Sequence, residues 1–228
     1  AHEVLPACRE ALETDPLFGR QWASVDIFFH TRESVLLPEN LYKSGEGDRI
    51  LSMVHGDLRA DKTLEDPVSG LGIRNIYRVP GDLVRLLGEK LPTARLRHEN
   101  TALLMQLRER EQSLPASHLY LQVYPHQVTV TVTRDRQFIL LQSYPYDIPE
   151  DVSYHLLNAA EQLGLDPDQV PVVVSGLIDA DSPLYHELLK YFRNLETDAA
   201  PESLVLDEAF SGYPPHLFTP QTILSVCA

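Results

Sequence analysis

Asp179-Ala180-Asp181 sets two carboxylates one residue apart, a spacing that can hold a cation or share a proton. The residues that follow offer a competing role. Asp181-Ser182-Pro183 supplies a capping side chain and a proline suited to a first helical turn, and acids are favoured beside the positive end of a helix. A cation site also gathers more than two oxygens, so a helix start is the expected role. Asp166-Pro167-Asp168, just after Gly164, reads as a turn in the same way. Nine histidines invite a metal reading. Yet His98, His118, His126, His155 and His186 form no pair at helical i,i+4 spacing, and none clusters with cysteine. Ser175-Gly176 has Val173 rather than glycine two residues before the serine, so it is no nucleophile elbow. Arg108-Glu109-Arg110-Glu111 reads as a solvated helix face.

Composition narrows the classes further. The chain has 228 residues, 43% of them hydrophobic, enough for one large domain or two modest ones. Its 19 basic and 33 acidic residues leave a net charge of −14. Such a surface repels phosphate backbones, so neither nucleic acid nor an anionic membrane is an expected partner. No apolar run approaches the length of a membrane span. Cys8 and Cys227 stand at opposite ends and cannot build a zinc knuckle or a disulfide framework. A reducing, cytoplasmic location is therefore expected. The chain opens at Ala1 in a helical pattern (Val4, Leu5, Cys8, Leu12) without a charged-then-apolar leader, and an upstream segment is expected to precede it.

The elements that must position any site are clearest from His118 to Asn194. Three strand patterns come first, at His118–Tyr124, Gln127–Asp135 and Gln137–Tyr146. The middle one alternates Val128, Val130 and Val132 with Thr129, Thr131 and Thr133, the pattern of a half-buried strand. Their connections are short enough only for antiparallel hairpins. A helical run with Val152, Leu156, Ala159, Ala160 and Leu163 stops at Gly164. Pro171 to Val174 is an apolar run suited to a central strand, and Ser182-Pro183 opens a helix with Leu184, Leu188, Leu189 and Phe192 on one stripe. Before this block the reading is a helix (2–18), strands at Trp22–Phe29 and Ser34–Pro38, and a short helix from Pro38. A glycine-rich, partly mobile insertion is expected over 43–72. A strand at Ile73–Val79, a helix from Pro80-Gly81-Asp82, a strand at Thr93–Arg97 and a helix at Asn100–Gln112 follow. After Pro201 come one short strand, Leu204-Val205-Leu206, and a final helix near His216 to Val226. The fold class is α/β, with two related mixed-sheet halves of the ribonuclease-H-like or actin-like kind. Residues 1–115 form the first half, lacking its opening hairpin, and 116–228 the second, with a seam at Ser113–Ser117.

Several segments carry a family resemblance. VDIFFHTRESVLLPENLY, NIYRVPGDLVRLLGEKLP, the long run from LYLQVY to LLKYFRN and the closing LFTPQTILSVC resemble the bacterial domain of unknown function thirty-eight twenty-two. LGLDP and VVVSGLIDADSPLY are the most specific stretches. The resemblance implies an actin-like ATPase fold, and a more distant one links the chain to pilus-assembly and division members of the actin superfamily. Those members carry an insertion where 43–72 falls, and the family begins with a hairpin ahead of its first helix.

Nucleotide chemistry on that fold needs a hairpin turn with aspartate and glycine, so that backbone N–H groups and a carboxylate meet phosphate and Mg²⁺. The corresponding turn here, Gln122 to Gln127, has neither, and Pro125 removes a donor. Val174-Ser175-Gly176-Leu177 keeps one glycine of the adenine-side loop, leaving Ser175, Gly176 and Asp179 as weak cofactor-site candidates. A ribonuclease-H nuclease would need an acid on the strand His118–Tyr124, which has none. No catalytic residue, metal or cofactor is therefore expected. The expected function is a non-catalytic scaffold binding a protein or peptide. The alternative is an ATPase-like switch whose essential acid lies in an upstream hairpin. Tyr120, Tyr124, Tyr144, Tyr146 and Tyr154, with Pro125, Pro145 and Pro149, are aromatics of an interface type, although most of them are expected to pack beneath the helices that cover the sheet. The expected partner surface is a cleft between the halves bordered by Tyr124, His126, Gly176 and Asp179, because ligands gather beyond strand ends.

Overall fold

The computed structural model describes residues 4–56, 61–111, 117–199, 207–210 and 212–226. They divide into two units that meet in sequence between Met105 and Gln106. In the first, the elements are α1 (Val4–Thr14), β1 (Asp26–Phe29), β2 (Ser34–Pro38), a 3-10 turn (Glu39–Leu41), α2 (Gly47–His55), β3 (Asp61–Val68), β4 (Ile73–Pro80), α3 (Gly81–Lys90), β5 (Arg95–His98) and the start of α4 (Glu99–Glu111). β1 and β5 pair in parallel from Asp26 opposite Arg95 to Phe29 opposite His98, so both strands end at one level. β2, β4 and β3 form a separate antiparallel sheet. Phe29, Tyr77, Val79, Leu83 and Leu87 make the core, against which Leu5, Cys8 and Leu12 of α1 pack at helical spacing.

The stretch 43–72, expected as a partly mobile insertion with one helical patch at Ile50, Leu51, Met53 and Val54, holds a further strand as well as that helix. It contains α2, whose Leu51 is fully buried, and β3, which pairs with β4 along its whole length. Residues 57–60 of that stretch lie outside the described residues. β3 escaped the sequence reading because Asp66 occupies an inward position beside Val68, which masks the period-two signal. The strand expected from Trp22 begins only at Asp26, and Trp22 itself is exposed.

The second unit continues with β6 (His118–Val123), β7 (Gln127–Arg134), β8 (Gln137–Pro145), α5 (Pro149–Leu163), β9 (Val172–Gly176), α6 (Pro183–Leu189), β10 (Leu195–Thr197), two 3-10 turns and α7 (Thr219–Val226). The sheet order is β10-β9-β6-β7-β8, parallel from β10 to β6 and antiparallel from β6 to β8. The β7–β8 connection turns on Asp135 and Arg136, both left-handed (φ 49° and 64°), which matches the twist of a two-residue hairpin. Leu119, Leu121, Val128, Val130, Val172 and Val174 face Val152 and Leu156 of α5 and Leu184 and Leu188 of α6. Burying each such aliphatic side chain contributes about 1.5–3 kcal/mol. α5 ends at Gly164 (φ 64°), where Leu165 N–H returns to the Ala160 carbonyl at 2.8 Å.

Two expectations change in this unit. β7 is not half-buried: Thr129, Thr131 and Thr133 are as inaccessible as the valines between them. Alternation reports two different faces, not which face meets water. β10 was not expected; Leu195-Glu196-Thr197 is too short to show a period, and only its parallel pairing with β9 defines it. The strand expected at Leu204-Val205-Leu206, Cys227 and most of the seam at 113–117 lie outside the described residues.

Candidate functional site

In the second unit, β6 and β9 run in parallel register from Leu119 opposite Val172 to Val123 opposite Gly176. Their carboxyl ends therefore deliver the turn Tyr124–Gln127 and the segment Leu177–Ser182 to one edge of the sheet. Tyr124 N–H donates to the Gln127 carbonyl at 3.0 Å, and Tyr146 N–H to the His126 carbonyl at 3.3 Å. The Tyr146 hydroxyl donates to the Tyr124 carbonyl at 2.8 Å, so a side chain from beyond β8 braces the turn. Pro125 and His126 are exposed at its tip, and Tyr124 is half-buried. Burial raises the Tyr146 phenol above its ordinary pKa, which keeps it a donor.

Gly176 lies against β6. Its φ is +83°, and a Cβ there would sit 2.2 Å from the Val123 carbonyl oxygen. The close approach lets Leu177 N–H donate to that oxygen at 2.9 Å, while Ile178 N–H turns back to the Gly176 carbonyl at 2.8 Å. Ile178 is buried in the core and Leu177 is 57% exposed. Ser175 is buried opposite Gln122 within the sheet. Asp179 and Asp181 are exposed. The buried His216, unremarked in the sequence, donates from Nε2 to the Ile178 carbonyl at 2.6 Å and anchors the loop from the other side. Ser182 Oγ accepts from Tyr185 N–H at 3.2 Å, the capping role expected for this stretch. Ser182→Ala is expected to lower stability by about 1 kcal/mol in urea denaturation, with Asp181→Asn leaving it unchanged. Of the five candidate residues, Gly176 meets the strand leading into Tyr124, Asp179 shares its loop, His126 stands at the turn tip, and Ser175 is inside the sheet.

The aromatic residues divide similarly. Tyr120 is buried, Tyr144 stacks on His155 at 4.2 Å between centroids, and Tyr154 is 66% exposed. Tyr120 thus belongs to the interior rather than to a surface.

A denser polar cluster, which the sequence reading missed, lies in the first unit at the shared end of β1 and β5. Asp66 is 6% exposed and takes three hydrogen bonds: from His98 N–H at 2.7 Å, the Thr101 hydroxyl at 3.0 Å and the Tyr77 hydroxyl at 3.1 Å. Burial pushes the Asp66 carboxyl upward, and burial also raises the Tyr77 phenol. His98, 1% exposed, accepts Asn100 N–H at Nδ1 (3.0 Å), while Nε2 lies 3.0 Å from the Thr31 carbonyl. That pattern requires a neutral ring protonated on Nε2. Burial holds its pKa down to about 3. Beside it His30 Nδ1 and Glu99 Oε2 are 2.7 Å apart, with Glu99 nearly buried and His30 about a third exposed. A carboxylate that orients an imidazole in this way can support proton transfer. A cavity of about 210 Å³ adjoins the cluster, lined by Asp66, Ser69, Arg97, Thr101 and Met105 among others. The available signal was His30-Thr31 and His98-Glu99-Asn100-Thr101, each at or just past the end of a parallel strand, where polar groups gather. Among the described residues no group of three or more His, Cys, Asp or Glu is placed to hold a metal, and no helix is long and apolar enough to cross a membrane.

Against known proteins, the family model described as "Protein of unknown function (DUF3822)" matches residues 1–195. No curated protein matches. Among solved structures the chain is similar to a Bacteroides thetaiotaomicron protein with actin-like ATPase fold and unknown function. That match has a TM-score of 0.83 at 15% identity, covering 97% of this chain and 80% of the other. It is also similar to a chain of the PilM-PilN type IV pilus biogenesis complex, with a TM-score of 0.56 at 13% identity, covering 97% and 84%. At these identities the likeness is one of fold, and the fold is the actin-like ATPase fold.

Proposed function

We propose, for a chain that belongs to the DUF3822 family of proteins of unknown function, that it works as a pseudo-ATPase: a cytoplasmic, non-catalytic actin-like scaffold that binds a protein or peptide. The observation that carries this reading is the β6–β7 turn. Where phosphate chemistry on this fold needs free backbone donors and an acid, the turn has Pro125, no acid and no glycine. Its Tyr124 N–H is committed to Gln127, and its Tyr124 carbonyl to the Tyr146 hydroxyl. The neighbouring loop offers exposed Leu177 and Asp179 instead, an apolar contact and a charge suited to a polypeptide. Tyr124, His126 and Asp179 are assigned to that partner surface, with the buried Gly176 positioning the loop beneath it. Support of a coarser kind comes from the PilM-PilN structure, in which a protein of similar fold belongs to a protein complex.

The competing reading is a nucleotide-binding switch. Titration calorimetry of the chain with ATP or GTP and Mg²⁺ separates the two. No heat of binding is expected, and micromolar affinity for either nucleotide would refute the scaffold reading.

A further inference from the structure

We propose that β8 is a self-pairing edge, through which two copies of this chain join their five-stranded sheets along an antiparallel β8–β8 seam. This goes beyond the partner surface above, which lies at a different edge of the sheet. β8 is the outermost strand, nine residues long. The Tyr146-to-His126 bond sets the phase of its pairing with β7. Tyr144, Gln142 and Leu140 then exchange hydrogen bonds with Val128, Val130 and Val132, and Leu141 and Ser143 direct their N–H and C=O outward. Edge strands are ordinarily guarded by lysine, mid-strand proline, inward charge or a β-bulge. From Gln137 to Tyr146 there is no charged residue, and the one proline, Pro145, comes last in the strand. The one guard is a bulge at Ile139, 40% exposed near the start of the strand, and beyond it Leu140 to Pro145 pair with β7 in regular register.

Charge selects the occupant. Arg134, Asp135 and Arg136 stand at the start of this uncharged run, one net positive charge with Arg134 donating to the Leu163 carbonyl, and Asp147, Glu150 and Asp151 follow its end with three negative charges. An antiparallel pair sets the basic start of each copy beside the acidic end of the other, twice by symmetry, whereas a parallel pair opposes like charges. The outward phase permits Leu141 on Leu141, Leu141 on Ser143 or Ser143 on Ser143, and each sets the Arg136 end of one copy near the Asp147–Glu150 end of the other. Local complementarity of this kind is what a chain of net charge −14 needs in order to approach itself. The flank of the strand is suited to cover: Ile148 and Tyr154 are 52% and 66% exposed beside the Tyr144–His155 stack.

Sedimentation velocity over a range of chain concentrations at low salt tests the seam. The wild-type chain is expected to pass from monomer to dimer at micromolar concentration. Arg136→Glu and Asp147→Arg are each expected to weaken the dimer about tenfold or more, and the double variant to restore it. Ser143→Pro removes an outward donor and no backbone bond to β7, and Ser143→Ala controls for the lost Ser143 Oγ–Thr129 Oγ1 hydrogen bond, so the proline but not the alanine is expected to abolish the dimer while circular dichroism shows a folded chain. A chain that stays monomeric throughout overturns the proposal. So does a dimer indifferent to Ser143→Pro, or one that the double charge reversal does not restore.

Discussion

Gly176→Ala is expected to lower the stability of the second unit by about 3–5 kcal/mol, a loss at the upper end for a single methyl group. Two effects add. A φ of +83° disfavours any residue with a Cβ, by roughly 1–2 kcal/mol. The larger effect is steric, since the new carbon would lie 2.2 Å from the Val123 carbonyl oxygen, a backbone atom in the interior of the sheet. Relief requires β9 to retreat from β6, which breaks the Leu177-to-Val123 hydrogen bond and displaces the loop that His216 anchors. Gly164→Ala supplies the control. Its φ is +64°, with open space where the Cβ would go, so only the conformational part applies, about 1 kcal/mol. Urea denaturation followed by far-ultraviolet circular dichroism measures both. Equal losses would show that the approach of Gly176 to Val123 is not what holds the two loops at this edge.

The second large effect is an acid limb in the stability of the first unit. His98 is kept neutral by burial, with its pKa near 3 in the folded chain against about 6.5 when unfolded. Above pH 6.5 both states leave the ring uncharged, and it contributes no slope. As pH falls below 6.5 the unfolded chain takes up a proton that the folded chain refuses, so stability declines until about pH 3. Asp66 has the opposite sign. Its raised folded pKa means that the folded carboxyl is protonated first, which offsets part of the loss at the acid end. The net loss is expected to be on the order of a few kcal/mol. Trp22, the single tryptophan, lies in this unit with its indole N–H on the Leu17 carbonyl, so its fluorescence reports local unfolding. His98→Gln is expected to flatten the decline between pH 6.5 and 4. A slope unchanged by the substitution would place the proton uptake elsewhere.

These two residues also show what the chain discloses before it folds. The strands around Gly176 were legible because unbroken apolar runs and short hairpin links constrain the topology locally. That Gly176 must be glycine was not, because the reason lies on β6, at Val123. The actin-like arrangement followed from element order and the family resemblance. The polar cluster was hidden for a different reason. Its members come from Thr31, Asp66 and His98, on separate elements, and each looks solvent-facing within its own segment. A buried carboxylate breaks the pattern that finds strands, so the same residue, Asp66, concealed both β3 and the hub of the cluster.

The order of strands in the second unit also implies an order of assembly. β6, β7 and β8 are joined by tight hairpins, so they can pair as soon as Pro145 has left the ribosome, with little loop entropy to overcome. The other edge of β6 has to wait until Val172–Gly176 has been made, one helix and one turn later. In that interval the nascent meander carries two uncapped edges, and α5 alone is available to shield its valine face. Arrival of β9 closes one of them and locks the glycine against Val123. The chain is thus most vulnerable to misassociation during synthesis of the stretch between α5 and β9, a period in which a holding chaperone has the most to protect.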